Sequence, residues 1–265
     1  MTKNFFFIII AILFTGCGTL QTSVSQSKDN ELTLLSYNIR NAWGMDHVTD
    51  YDRVAKIITR LQPDAVALQE LDSATVRSYG VVVIDELAKR TGMYATYSRS
   101  INYQGGGYGI GILTKEKPLR TRRIPLPGNE EKRSLLMVEM SKYIFCCTHW
   151  SLTQNDRVQS VKIIKDFVAQ LHTNKPIFLA GDLNAVSSST EMAELTKDWN
   201  ILNDTQQFTI PSSVPIKCID YILVHRSSSE VIPLMSKVEN EPLASDHLPV
   251  WIKVRMSQQI SIKIK

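Results

Sequence analysis

Five apolar runs of strand length each meet a carboxylate or an imidazole at one end. Ala65-Val66-Ala67-Leu68-Gln69 runs into Glu70, Tyr143-Ile144-Phe145-Cys146-Cys147-Thr148 into His149, and Ile177-Phe178-Leu179-Ala180-Gly181 into Asp182. Asp220 sits at the start of Ile219-Asp220-Tyr221-Ile222-Leu223-Val224, and Asp246-His247 immediately precedes the run Leu248 to Val254. Runs this short and continuous read as buried strands. Side by side in a sheet, they would gather their polar ends at its rim. Proton-transferring and metal-binding groups collected there imply one active site and, by their types, a metal-assisted hydrolase.

The rest of the chain alternates strand-like and helix-like segments. Leu32 to Ile39, Gly109 to Thr114 and Ser134 to Met140 add strands, and Ser141-Lys142 makes a tight turn into Tyr143. Asp52 to Leu61 places Val54, Ile57, Ile58 and Leu61 on one helical stripe; Thr49 with Asp52 suggests a capping box, and Pro63 stops the helix. Val81 to Arg90 and Asp156 to Leu171 are the other expected helices. Strands outnumber helices and several follow one another directly. That favours a layered α/β fold with mixed sheets over a purely parallel one.

The N-terminus reads as an address. Lys3 precedes the unbroken apolar run Phe5–Phe14, then Thr15-Gly16-Cys17. The run falls short of the roughly 20 residues needed to span a bilayer but fits an export signal. Small residues directly before a cysteine resemble the bacterial lipoprotein box. The expected organisation is a signal peptide at 1–16, a lipidated Cys17 opening a polar tether over 17–30, one domain over 31–256 and a polar tail at 257–265. The protein would be exported and lipid-anchored to a bacterial membrane on its extracytoplasmic face. The whole chain carries a formal charge of +4, too close to balance to argue for nucleic acid by itself. Cys146 and Cys147 are neighbours on a strand, so they face opposite ways. With Cys218 they read as small core residues, a disulfide at Cys218 being the alternative.

Each chemical motif also has a plainer explanation. Glu70 at a strand end suits a hard cation; alone it would be a solvated charge. Asp182 and Asn184, two apart, share one side if the chain stays extended, although Gly181-Asp182-Leu183-Asn184 is also turn chemistry. Asp220 inside an apolar strand needs an imidazole or a cation, with His149 and His247 as candidates. Gln104 to Gly111 lacks the residues of a phosphate loop; its alternating glycines leave one strand face bare for close backbone or ligand approach. The basic run Lys115, Lys117, Arg120, Arg122 and Arg123 is either a solvated edge or a polyanion contact, and should lie away from the catalytic rim.

Together these residues resemble the endonuclease/exonuclease/phosphatase superfamily of DNase I-like, Mg²⁺-dependent phosphoesterases. The resemblance runs from about Leu32 to Val254. It rests on Ser36-Tyr37-Asn38-Ile39-Arg40, Leu68-Gln69-Glu70, Tyr108 to Thr114, Arg133, Thr148-His149, Gly181-Asp182-Leu183-Asn184, Ile219-Asp220-Tyr221 and Ser245-Asp246-His247. It implies a four-layer α/β sandwich, two packed mixed sheets flanked by helices. It also implies Glu70 as principal ligand of Mg²⁺ (or Mn²⁺), with Asn38 close by and Asp246 assisting. His247, oriented by Asp220, would be general base or charge stabiliser. Asp182 would position or activate water, Asn184 would hold a phosphate oxygen, and His149 would bind the scissile phosphate. Arg40, Tyr108 and Arg133 would touch the substrate.

Arg40 stands where many nuclease members have Asp, which weakens the case for a second metal there. Arg157-Val158-Gln159 follows the family's Arg and Gln spacing only loosely. The expected activity is hydrolysis of a phosphomonoester or phosphodiester, with small or lipid-linked esters preferred over nucleic acid. An extracytoplasmic nuclease is the alternative. An inactive binding protein on the same fold would have lost Glu70, Asp182 or His247, and none is lost. A glycosidase would leave both histidines and Asp220 without roles. Expected partners are the phosphoester and, through the lipid, a membrane; the chain itself is expected to be monomeric.

Overall fold

The computed structural model describes residues 30–228 and 230–257. The signal peptide, Cys17, and the expected tether and tail, apart from Asn30 and Ser257, lie outside those residues. Strands are β1 (Glu31–Asn38), β2 (Ala65–Ser73), β3 (Tyr94–Tyr103), β4 (Gly106–Thr114), β5 (Arg120–Leu126) and β6 (Arg133–Glu139). They continue as β7 (Ile144–His149), β8 (Ile177–Asp182), β9 (Trp199–Ile201), β10 (Asp220–His225), β11 (Val231–Val238) and β12 (Val250–Met256). Helices are α1 (Tyr51–Leu61), α2 (Val83–Thr91), α3 (Gln154–Ala169) and α4 (Thr190–Leu195).

The strands form two six-stranded mixed sheets, ordered β11-β12-β1-β2-β4-β3 and β5-β6-β7-β8-β10-β9. Alternation along each strand builds the layers. Leu34, Ala65, Ala67 and Ile112 meet Phe145, Cys147, Phe178 and Ile222 in a core between the sheets. The opposite faces are covered by helices: Leu35, Val66 and Leu68 pack with Val54, Ile57 and Ile58 of α1 and Leu87 of α2. Cys146, Leu179 and Leu223 pack with Val161, Ile164 and Val168 of α3. Each fully buried aliphatic side chain contributes about 1.5–3 kcal/mol, so Val54, Ile57 and Ile58 are the residues that hold α1 against the sheet. This is the expected four-layer sandwich. Cys146 and Cys147 indeed face different cores, and Cys146, Cys147 and Cys218 are free and buried.

Local differences have physical causes. The cap of α1 is Asp50, accepting from Arg53 N at 2.9 Å, instead of a Thr49–Asp52 box. Gln62 in the left-handed region ends the helix one residue before Pro63. Strands β3, β5 and β11 lie at sheet edges and expose much of their length, so no continuous apolar run marks them. The bare glycine face is filled from within: a Cβ at Gly109 would meet Ser98 O, and one at Gly111 would meet Ile84 and Leu71 side chains. The basic run follows β4 and enters β5, where Arg120 pairs with Glu139, at the pole opposite Arg133. Lys115 bonds Asp64 at 2.9 Å and Arg123 bonds Tyr97 O at 2.8 Å, which makes this a braced edge. Among the described residues no helix is long and apolar enough to cross a membrane.

Candidate active site

Sheet pairing brings the ionisable strand ends to one pole. In the second sheet, parallel β7 and β8 set His149 opposite Asp182, and antiparallel β8 and β10 set Asp220 opposite Asp182. In the first, parallel β1 and β2 set Asn38 opposite Gln69, one residue before Glu70. Ser245-Asp246-His247 enters the same pole just before β12, fixed by Ser245 Oγ donating to Asn38 O at 2.7 Å. The inter-sheet core therefore ends in a polar cluster drawn from both sheets.

Asp182 is its hub. Asp182 Oδ2 accepts from Asn38 Nδ2 at 3.2 Å and is faced by His149 Nε2 at 3.5 Å and His247 Nε2 at 3.6 Å. Asn38 Nδ2 also donates to Glu70 Oε1 at 3.0 Å, so one amide ties the two sheets' carboxylates together. His247 Nδ1 bonds Asp220 Oδ2 at 2.9 Å. Asp220 Oδ1 is buried and has no hydrogen-bond partner among the described residues.

The two imidazoles differ in charge. Burial pushes His149 down to about 3, against Asp182 and with help from the Arg133 charge, so it is neutral at physiological pH. Arg133 Nη1 must be the donor in its 3.2 Å contact with His149 Nδ1. The proton then sits on Nε2, aimed at Asp182, and the His149–Asp182 contact is polar but not an ion pair. Burial also opposes charge on His247, but Asp220, Asp182 and the Asp220 hydrogen bond lift it to about 10. Without a metal, His247 is an imidazolium. Burial raises Glu70 above the usual carboxylate range; Asn38 counters this, while Asp246 and Asp182 add to it.

That crowding tests the fit of a cation. Half-buried Glu70 with Asp182 and Asp246 near it, and an amide as its neutral neighbour, is an oxygen-donor set suited to a hard divalent ion. Asp182, Asp220 and His247 also lie within 4.8 Å of one another. The Asp220–His247 hydrogen bond, however, already occupies that imidazole nitrogen. The Glu70 side is the better fit.

Backbone irregularity aims Glu70. A bulge in β2 between Leu68 and Leu71 shifts the register against β4, and Glu70 has φ 60. Bulges re-aim side chains next to active sites. Just beyond β1, Arg40, Asn41 and Ala42 all have positive φ. They form a left-handed turn that brings Arg40 Nε within 3.7 Å of Asp246 Oδ2. Three consecutive non-glycine residues in that region carry strain.

The remaining expected residues are placed as follows. Asn184 has φ 47, so the chain does not stay extended past Asp182. Its backbone N donates to Asp182 Oδ1 at 2.9 Å and its side-chain Nδ2 to Trp150 O at 2.9 Å. Asn184 therefore braces the loop and does not line up beside Asp182 as an extended chain would have placed it. Arg133 is buried and held by Glu131 at 2.8 Å. Tyr108 is buried under the Arg77 guanidinium, 5.4 Å from its ring centroid. Arg157 is structural: it bonds Glu191 at 2.6 Å and the carbonyls of Ser151 and Leu152.

Sequence reading missed Trp43, His47, Asp72 and Arg77. A cleft of about 760 Å³ beside Glu70 is lined by Arg40, Trp43, His47, Arg77 and Tyr79 among others. No run or spacing marks these residues, because the left-handed turn and the loop after β2 bring them together.

A two-sheet sandwich with an acid–imidazole cluster drawn from both sheets at one pole is a DNase I-like hydrolase architecture. The chain belongs to the Endonuclease/Exonuclease/phosphatase family, whose sequence pattern matches residues 35–247. Members of this family are hydrolases acting on phosphoesters. An endonuclease/exonuclease/phosphatase from Bacteroides vulgatus is 17% identical with TM-score 0.71, covering 86% of this chain and 99% of that one. The mannosyl-6-phosphatase Bt3783 of Bacteroides thetaiotaomicron VPI-5482 is 16% identical with TM-score 0.69, covering 84% and 99%. D. rerio TDP2 complexed with single-strand DNA product is 18% identical with TM-score 0.66, covering 86% and 100%. At these identities the likeness establishes the fold alone. No curated protein matches the chain by sequence.

Proposed function

We propose that the chain is a Mg²⁺-dependent phosphoesterase acting on small phosphoesters, with nuclease action as the lesser alternative. The observation that carries this reading is Asp182 Oδ2, faced by the Nε2 atoms of one neutral and one charged imidazole and tied through Asn38 to Glu70. Glu70, with Asn38 and Asp246 beside it, would hold Mg²⁺ or Mn²⁺. When bound, that ion supplies Lewis-acid stabilisation of charge on a phosphoryl oxygen.

The protein's own groups divide the remaining work. Asp182 orients a water and accepts its proton. His149, neutral with Nε2–H directed inward, donates a hydrogen bond to a phosphoryl oxygen. His247, held as an imidazolium by Asp220, stabilises charge developing on phosphorus oxygens. Preorganised donors of this kind usually supply the largest single catalytic contribution. Arg133 fixes the His149 tautomer from behind.

The cleft volume of about 760 Å³ lies within the range of small-molecule sites, and the basic run starts at the opposite pole and stops midway along β5, short of the site. Both favour small substrates. The test is a panel of sugar phosphates, inositol phosphates, phospholipids, single- and double-stranded DNA and RNA, assayed with Mg²⁺. Turnover of small esters that stops with chelator and returns with Mg²⁺ or Mn²⁺ is expected. Full turnover by chelated enzyme, or duplex DNA as the sole substrate, would refute this reading.

We also place the protein outside the cytoplasm, lipid-anchored through Cys17, on the strength of the Phe5–Phe14 run and Thr15-Gly16-Cys17. Cys17→Ser should move it from the membrane fraction to the soluble one. Retention in membranes after a high-salt wash would contradict the anchor.

A further inference from the structure

One charged group at the mouth of the site has no task in that scheme. Arg77 lies in the loop between β2 and α2, and its guanidinium forks onto Asp72: Nε donates to Oδ2 at 2.6 Å and Nη2 to Oδ1 at 2.9 Å. Asp72 is 0% exposed, whereas the Arg77 side chain is 41% exposed. The guanidinium carbon also lies 4.7 Å from the Tyr103 ring centroid and 5.4 Å from that of Tyr108. The buried carboxylate and the two rings fix the plane of the guanidinium. Its third nitrogen, Nη1, makes no hydrogen bond among the described residues.

An arginine tied to a buried carboxylate is often only a loop brace. Arg77 differs because it forms part of the wall of the cleft that contains Glu70. Arg40 lines the same cleft, with its guanidinium 4.6 Å from the Trp43 ring centroid, and the Trp43 ring lies 5.1 Å from that of His47. The cleft thus offers two guanidiniums, each set against aromatic faces, next to the carboxylate that would hold the metal. Guanidinium recognises planar or tetrahedral anions through paired donors. One already held in place by Asp72 and two tyrosines loses little freedom on binding.

We propose that this cleft takes the alcohol portion of the ester, and that Arg77 is a specificity-determining residue selecting small phosphoesters with a second anionic group. The inference rests on the phosphoesterase reading and narrows it. The scissile phosphate occupies the Glu70–Asp182–His149 cluster, and the second anion meets Nη1 of Arg77. The cleft has room for a sugar- or cyclitol-sized core.

The test uses matched pairs with Mg²⁺: fructose 1,6-bisphosphate against fructose 6-phosphate, and inositol 1,4-bisphosphate against inositol 1-phosphate. Wild-type enzyme should favour the bisphosphate in kcat/KM by about tenfold or more, as expected of one added charge-assisted contact, and chiefly through KM. Arg77→Gln should bring that ratio near one, with the loss falling on the KM of the bisphosphate. Arg77→Lys should keep part of the preference. Because Arg77→Gln strands a buried carboxylate, the double variant Asp72→Asn/Arg77→Gln should give the same loss of ratio in a protein without the unpaired charge. Calorimetric titration of each bisphosphate into chelated protein reads binding without turnover. A ratio near one in wild type, or one that survives Arg77→Gln, overturns the proposal. Arg77-dependent cleavage of a single-stranded oligonucleotide faster than of any bisphosphate overturns the small-molecule assignment. If no ester is turned over but bisphosphate binding depends on Arg77, the phosphoesterase reading fails and the anion pocket stands.

Discussion

The two halves of the site are built in opposite ways. The half on the second sheet is regular: His149, Asp182 and Asp220 are neighbours across three adjacent strands, held by the ladder itself. The half on the first sheet is irregular: Glu70 sits on a bulge with φ 60, and Arg40 opens a turn of three left-handed residues. In the proposed mechanism, proton and charge handling would rest on the rigid half, and metal binding and contacts to the alcohol portion on the half whose backbone departs from the strand. Rigid register keeps hydrogen-bonded groups within tenths of an ångström, whereas bulges and turns aim side chains where a ladder would not.

The largest effect should come from the irregular half. Glu70→Gln should lower phosphoester turnover on the order of 10³-fold, equivalent to losing several kcal/mol of metal-assisted stabilisation. It should also raise stability in chelator. Burial, with Asp246 and Asp182, holds Glu70 above its ordinary 4.5 despite Asn38, so the ionised form costs folding energy at pH values above that. Chelated Glu70→Gln should therefore melt higher than wild type at pH 7, by about 2–4 °C for each kcal/mol relieved. The gain should vanish below pH 4. Mg²⁺ should raise the wild-type Tm and leave the variant unchanged. A variant that melts lower than wild type at pH 7 would mean Glu70 is held by cations of the protein's own.

A smaller loss is expected from the regular half. His247→Ala and Asp220→Ala should each reduce kcat by roughly 10², and the double variant by little more than either alone, because one hydrogen bond makes them a unit. Multiplicative losses would separate the pair. Melting curves are needed beside the kinetics, since removing one member of a buried pair destabilises by about 3–5 kcal/mol.

The smallest effect tests the support behind the regular half. Glu130 accepts from Ser151 Oγ and Leu152 N, both at 2.7 Å, beside Arg133. Burial opposes its charge, but these bonds and Thr153 bring it down to about 2. A carboxyl lowered in the fold stabilises above its unfolded value and loses that contribution as pH falls toward 2. Glu130→Gln should thus melt slightly lower at pH 7 and match wild type near pH 2. A difference that persists unchanged at pH 2 would show that the cause is packing and not charge.

The same division explains what was legible in the sequence. Glu70, His149, Asp182, Asp220 and His247 sit at the ends of buried apolar runs, so the pattern that builds the sheets also announces the site. Arg77 and Asp72 carry no such mark, since the loop after β2 and the tyrosines of β3 and β4 define their environment. Asn184 was misplaced because Gly181-Asp182-Leu183-Asn184 supports both an extended strand end and a turn, and tertiary contact with Trp150 decides for the turn. Edge strands β3, β5 and β11 escaped because water covers much of their surface, leaving no apolar run to read.

The first strand carries a further consequence. Strand β1 enters at Glu31 and delivers Asn38 to the site seven residues later, about 23 Å away at strand rise. The chain therefore joins the domain at the pole opposite its chemistry. If Cys17 is lipidated as proposed, the anchor would hold the domain from that back pole. The reactive face would then turn outward, toward what diffuses past the cell and away from the headgroups of the bilayer. Such an attachment would favour dissolved esters over the lipids of its own membrane.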